Sequence, residues 1–476
     1  PWYASYLYAV QIAAWSLILH GLFAIRAGGV AALLFLVAFA FFGFEMAIEL
    51  QFTSTAILLG GAALFHYLAP GGRDVSPRRA LAAGLLLGVS GLIRLSAFQA
   101  AALAWAPLFA FVAIRRPWRR TLGFVTAALG VLACAGLATL GLHAADPRWS
   151  DFDAFNRARA QLEAARPDLP PKAFQRVGWS QNDFEMFQML FFSDRTVFTA
   201  DQAQALAKMA DPRKRKIEIS SVVKKQKRRF LRVLGVALFG LAWARKWRAL
   251  LVVFNFGWFF AVVAAVMYSW NRFPPRVAVP LLLILLLACV LATGIPRAPL
   301  RARGRREGAI LATTVFAALV ALREVIPDHS RRVRRSDGNR ERASALLRDL
   351  AELQRFDPEG LFVHWPTTLR LDRISPFQKP REVPALKMVR LDWVANSPPW
   401  LDFVEGLGIE DLYTAIAQQE HVHLLCGGMC LPAMVCSFEA FLREHRGMEA
   451  ELESTCLDHS CNLRVWKRGR RVEPCS

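Results

Sequence analysis

Two carboxylates one helical turn apart, Glu45 and Glu49, interrupt a long apolar run in the stretch FEMAIELQFTSTA. A spacing of four sets them on one helix face, where like charges repel modestly and can share a proton. Such a pair can act as general base on a hydroxyl or position a divalent cation. Equally, two acids can do no more than end two helices at a membrane surface. Arginines are the second chemical signal. Arg94 falls between two short apolar segments, ALAAGLLLGVSGLI and LSAFQAAALAWAPL, and Arg272 and Arg276 flank the Pro274–Pro275 pair in NRFPPRVAVP. Guanidinium groups bind phosphate through paired hydrogen bonds, or simply snorkel to lipid headgroups. On one side of a membrane, these acids and arginines would form an anion site beside an acid/base site.

The chain that must position them has 476 residues, 54% of them hydrophobic, and a formal net charge of +21. Its apolar residues come in blocks of about twenty, the length that crosses a hydrocarbon core of roughly 30 Å. The clearest are Trp2–Ile25, Gly28–Ile48, Leu50–Leu68, Leu95–Ile114, Thr121–His143, Ala249–Tyr268, Val277–Ile295 and Ala309–Val325. Ala80–Ile93 and Leu231–Ala244 are shorter and need tilting or extension. The expectation is an α-helical polytopic protein of the cell membrane with about ten transmembrane segments. The pattern predicts a first part of the bundle over 1–144, an extracytoplasmic helical loop over 145–230, a second part over 231–326 and a small extracytoplasmic α/β domain over 327–476.

Basic residues gather in alternate short connections, 25–29, 71–79, 114–120, 245–248 and 297–308. The positive-inside rule puts those inside the cell, and Pro1, the C-terminal part and the acid–arginine group outside. The basic stretch 214–232 runs against this arrangement, but long loops translocate largely regardless of charge. Inside-loop bias therefore absorbs most of the net charge. Membrane lipid is the partner it calls for, not nucleic acid. No GxxxxGK[ST] and no strand-flanked GxGxxG offers a nucleotide site. The opening PWYASYLYAVQIAAW has neither a basic leader nor a small-residue cleavage site, so a further helix and outer loop are expected upstream.

Between the bundle parts, Thr199 and Ser180 read as helix caps, and Met186, Phe187, Met189, Phe191 and Phe192 as residues packing on the membrane surface or the bundle. Near the C-terminus, SRRVRRSDGNRERASALLRDLAELQRF becomes an amphipathic helix. GLFVHW, HVHLL and NLRVWKRG read as strands, and PWLDFVEGLG and VCSFEAFLREHRG as helices. Six cysteines crowd the last fifty or so residues: Cys426, Cys430, Cys436, Cys456, Cys461 and Cys475. On an outer side they read as a disulfide set, with zinc ligation as the alternative and His459 as a competing ligand.

Layout and short phrases together resemble a known class. PWYASYLYAVQIAAW, LQFTSTAILLGGAALF, GLLLGVSGLIRLSAFQAAAL, NRFPPRVAVPLLL, FNRARAQLEAARPDL, GWSQNDFEMFQMLFFSD and WVANSPPWLDFVEGLGIEDLYTAIAQQEHVHLL are similar to bacterial integral membrane proteins of the GT-C glycosyltransferase type. That resemblance implies a polyprenyl-phosphate-linked sugar as donor and an acceptor outside the cytoplasm. It implies that Glu45 or Glu49 matches the second outer acidic position, and that Arg276, with Arg272 or Arg94, receives the lipid phosphate. It also implies that the principal catalytic acid lies upstream of Pro1. Two other classes stay open: a lipid or polysaccharide transporter or flippase, and a non-catalytic envelope-assembly protein.

Overall fold

Uninterrupted apolar runs become helices because a backbone without water must satisfy its own hydrogen bonds. The computed structural model describes residues 2–25, 28–69, 75–165, 169–209, 234–235, 246–270, 274–293, 341–365, 369, 371, 374, 378, 380–427, 432–450, 452–456 and 463–469. The chain divides into two units, one over Pro1–Thr139 and Ile217–Val333, and a second over Leu140–Lys216 and Arg334–Ser476.

The first unit contains α1 (Trp2–Ile25), α2 (Gly28–Ala38), a π-helical turn over Phe39–Gly43, α3 (Phe44–Ile48), α4 (Phe52–Leu68), α5 (Pro77–Ile93), α6 (Leu95–Ala113) and, as far as Thr139, α7 (Trp118–Ala145). Six helices among the described residues are long and apolar enough to cross a membrane, judged by length and composition, and α4 is a shorter apolar one. α5 starts at Pro77, upstream of the predicted Ala80, because the Ser76 hydroxyl caps it by accepting from the Arg79 amide at 3.2 Å. The expected spans Leu231–Ala244 and Ala309–Val325 lie outside the described residues, apart from 234–235.

α4 is the hub of this unit. It packs against α1, α5, α6 and a later helix over Pro275–Thr293, and is buried on every side from Thr53 to Phe65, as a central helix with apolar residues all round from Ala56 to Phe65 should be. A Cβ on Gly61 would lie 2.6 Å from Ile284 Cγ1. The missing side chain is what lets that later helix approach. The same device joins α5 to α7, where a Cβ on Gly84 would overlap the Phe124 carbonyl oxygen, an approach typical of membrane helices. α7 otherwise turns Leu122, Leu129 and Leu137 outward.

The second unit begins with α8 (Arg148–Ala165), α9 (Pro171–Gln175), α10 (Gln181–Gln188) and α11 (Ala200–Met209). α12 (Lys246–Trp270) and α13 (Pro275–Thr293) return to the first unit. Then follow α14 over residues 341–356, β1 (Leu361–His364), β2 (Lys387–Arg390), α15 (Pro398–Gly406), α16 (Leu412–Gln418), β3 (Val422–Gly427), α17 (Pro432–Arg446), β4 (Leu452–Cys456) and β5 (Leu463–Arg468). The strands form a five-stranded sheet of order β2-β1-β3-β5-β4. β1 is parallel to β2 and β3, and β5 runs antiparallel to both β3 and β4. Leu346, Leu350 and Leu353 of α14 cover Phe362, Leu425 and Val465 on one face.

The other face shares a core with the earlier helices. Phe191 lies 4.4 Å from the Trp365 ring and stacks at 4.8 Å on Tyr413, and Trp365 Nε1 donates to the Met189 carbonyl at 3.0 Å. The aromatic run expected on the membrane surface or the bundle is therefore core of the same unit as the sheet. Both predicted caps are present: Ser180 forms a capping box with Asp183, and Thr199 exchanges bonds with Gln202. Cys426, Cys436 and Cys456 are each disulfide-bonded, in keeping with the disulfide reading. Cys430, Cys461 and Cys475 fall outside the described residues.

Candidate functional site

The N-terminal turn of α4 gathers the residues that could do chemistry. Three consecutive hydroxyl residues open it, and each holds a different element. Thr53 Oγ1 accepts from Arg94 Nη1 at 2.6 Å, Ser54 Oγ donates to the Arg276 carbonyl at 2.9 Å, and Thr55 Oγ1 accepts from Gln11 Nε2 at 3.0 Å. Gln11 donates as well to the Met46 carbonyl at 3.0 Å, and Tyr8 OH donates to the Ala47 carbonyl at 3.2 Å. α1 thus satisfies the last carbonyls of α3, which have no helical partner, and clamps the turn between α3 and α4.

Glu45 lies within that clamp, 7% exposed, directly after the π-helical turn. Glu49 follows one turn on, its N–H donating to the Glu45 carbonyl at 2.9 Å. The helix ends at Ile48, and Glu49 is an exposed C-cap with φ −98° and ψ 66°. Of the two acids, Glu45 is buried and Glu49 stands exposed at the turn. Arg94 occupies the break between α5 and α6 with extended backbone, φ −163° and ψ 112°. Its Nε donates to Ser96 Oγ at 3.1 Å, and its guanidinium lies 5.2 Å from the Phe52 ring centroid. Arg276 sits in the first turn of α13. Arg272 lies outside the described residues.

Sequence reasoning thus found Glu45, Arg94 and Arg276, which come to one end of the bundle, and missed what ties them. Gln11 was legible as the lone amide in a 24-residue apolar helix. Thr53, Ser54 and Thr55 stood inside the very stretch that holds the acids.

The second unit carries ionisable groups of its own. Asp183, Glu444 and His445 bring one ligand atom each within 4.8 Å of one another, a set that could hold a metal ion. Asp183 is fully buried and already engaged: its Oδ1 meets His445 Nε2 at 2.8 Å, and its Oδ2 accepts from the Ser180 amide at 2.8 Å. Ser180 Oγ donates to Glu444 at 2.8 Å. These bonds also tie the start of α10 to the end of α17. Arg446 bridges buried Asp194 at 2.5 Å and Asp411 at 2.8 Å. Burial would raise the Asp411 carboxyl, but bonds from Arg446 and Thr414 outweigh it and leave the group below its ordinary range. His364 is held neutral, near 4, by burial and the adjoining Arg390.

Neither a protein-family model, nor a curated protein, nor a solved structure matches this chain.

Proposed function

We propose that this is a membrane-embedded glycosyltransferase of GT-C layout with about ten spans. In this reading it moves a sugar from a polyprenyl-phosphate-linked donor to a glycan, lipid or protein acceptor outside the cytoplasm, where the C-terminal α/β domain also lies. One observation carries the reading: Arg94, the opening turn of α13 with Arg276, and the Gln11-clamped turn beside buried Glu45 converge on the first turn of α4. A helix start directs backbone N–H groups and partial positive charge outward, and with guanidinium groups beside it favours a phosphate. Glu45 takes the proton of the acceptor hydroxyl as its oxygen bonds to the anomeric carbon. The bond from that carbon to the phosphate oxygen breaks, and its electron pair leaves with the lipid phosphate, stabilised by Arg94 and Arg276. Glu49 faces the incoming acceptor, or helps Glu45 hold a divalent cation.

The test is mass spectrometry of lipids co-purified with the full chain in mild detergent, wild type beside Arg276→Ala and Glu45→Gln. Polyprenyl phosphate should accompany wild type and Glu45→Gln and be depleted in Arg276→Ala, with sugar transfer lost in Glu45→Gln. Bulk phospholipid alone, equal in all three, would make the arginines headgroup anchors and favour a transporter, flippase or envelope-assembly role.

A further inference from the structure

The opposite end of α4 is built from cations. Arg79 Nε and Nη2 donate to the His66 carbonyl at 3.2 and 2.8 Å, and Arg116 donates to the Tyr67 and Leu68 carbonyls at 2.6 and 3.2 Å. Tyr67 OH meets Thr121 Oγ1 at 3.1 Å. These bonds bring the first turns of α5 and α7 together where α4 stops. Capping three carbonyls accounts for a partial negative charge of about one half. It does not account for what else is there.

Both helices begin with paired arginines, Arg78 and Arg79 in α5 and Arg119 and Arg120 in α7, and neither first turn holds an acid. Helix starts favour anions and disfavour cations, so each helix opens with the charge its own dipole repels. Arg116, only 7% exposed, lies within electrostatic reach of both Arg79 and Arg120. Arg120 Nη1 is buried with no hydrogen-bond partner among the described residues. Charge that only marks the cytoplasmic side would stand in water. Arg78 and Arg119 do stand exposed, but Arg116 is buried and Arg79 and Arg120 are partly covered.

Two features of the same helices point to a lipid. Trp118, 68% exposed, stands at the start of apolar α7, as tryptophans do at the boundary of water and hydrocarbon. Below it, an apolar groove of about 450 Å³ runs between α5 and α7, lined by Leu85, Leu92, Ala127, Gly130 and Val131. Its nearest lining residues are eight or nine positions into each helix, roughly 12 Å deeper at 1.5 Å per residue. Headgroup-sized charge sits above and acyl-sized apolar space below, along one pair of helices.

We infer that the starts of α5 and α7 seat the phosphate of an anionic phospholipid, held by Arg79, Arg116 and Arg120, with an acyl chain in the groove between the two helices. This seat is at the far end of α4 from Arg94 and Arg276 and stands whether or not the glycosyltransferase reading does.

The experiment uses the full chain, delipidated in detergent, and follows thermal unfolding on adding phosphatidylglycerol, phosphatidylcholine or inorganic phosphate. A ligand that binds the folded state raises the midpoint by linkage. Phosphatidylglycerol should stabilise wild type, and phosphatidylcholine and inorganic phosphate should not. Arg120→Gln should weaken the phosphatidylglycerol response about fivefold, the worth of one interfacial arginine, and leave any retained polyprenyl phosphate unchanged. Gly130→Leu fills the groove without touching the charges and should weaken the response too, while Arg115→Gln, outside the seat, should respond as wild type does. An equal response to phosphatidylcholine would remove the headgroup charge from the argument and overturn the proposal. An equal response to inorganic phosphate would make this a free-anion site and overturn the lipid assignment. Undiminished phosphatidylglycerol binding in both Arg120→Gln and Gly130→Leu would overturn it altogether.

Discussion

Arg94 Nη1 donates to Thr53 Oγ1 at 2.6 Å, and this bond pins the break between α5 and α6 to the start of α4. At Arg94 the chain leaves one helix and enters the next with extended backbone, and its half-buried guanidinium needs its donors engaged. A charged hydrogen bond of this kind is worth about 1.5–3 kcal/mol. Thr53→Val keeps the shape and removes the acceptor, so it should lower the unfolding midpoint of the detergent-solubilised protein by several degrees. Thr53→Ser should stay near wild type. An unchanged midpoint in Thr53→Val would mean that solvent or lipid supplies Arg94 with an equal acceptor.

Two glycines of the bundle make a matched pair. A Cβ at Gly84 would press into the backbone oxygen of Phe124, whereas nothing lies within 4 Å of one at Gly130. Backbone cannot yield as a flexible side chain can, so Gly84→Ala should push α5 from α7 and destabilise by about 1–3 kcal/mol. Gly130→Ala should be neutral or slightly stabilising, since alanine is the better helix former. Midpoints of thermal unfolding compare the two directly. Equal effects would contradict the close crossing at Gly84.

The strands show where legibility ended. β1 and β3 were readable as apolar runs because they lie inside the sheet with buried side chains along their length, and β5 through its Val465–Trp466 pair, which is buried. β2 and β4 went unread, and they are its two edges. Edge strands carry charge and need only one buried face, and KMVR and LESTC have the mixed composition that follows. At the candidate site the single acids and arginines stood out against apolar sequence. Glu45 and Glu49 nevertheless differ in burial, because the helix ends at Ile48 beside the Gln11 and Tyr8 bonds from α1, contacts across more than thirty residues. Spacing alone carries no such information.

The disulfides offer a third check. Cys426 is buried in β3, Cys436 lies in α17 and Cys456 is exposed on edge strand β4. Cross-links in a small sheet typically contribute about 2–4 kcal/mol. Reductant added to the full chain should therefore speed limited proteolysis within 422–468 and leave cleavage elsewhere unchanged. Proteolysis indifferent to reductant would show that the sheet's packing alone holds it.

Asp357 makes the last prediction, through pH. One of its oxygens, Oδ2, meets His421 Nδ1 and His423 Nε2, each at 2.9 Å, tying the end of α14 to the start of β3. Burial works to raise the Asp357 carboxyl, but hydrogen bonds from His423 and His421 overcome it and hold the group below its ordinary value. The bond to Asp357 raises His421 above its own. A lowered acid contributes stability that is complete above its unfolded pKa, about 3.9, and lost as pH falls through the folded value. A raised histidine contributes stability that is complete below about 6.5 and lost as pH rises through its folded value. Both are fully present only between about pH 4 and 6.5. The midpoint difference between wild type and Asp357→Asn should therefore peak in that window and shrink on either side. The exchange protection factor of the Leu361 amide, which donates to the His421 carbonyl at 2.7 Å, should follow the same profile, smallest where the difference is smallest. A pH-independent difference would mean that Asp357 acts there only as a neutral hydrogen-bond acceptor.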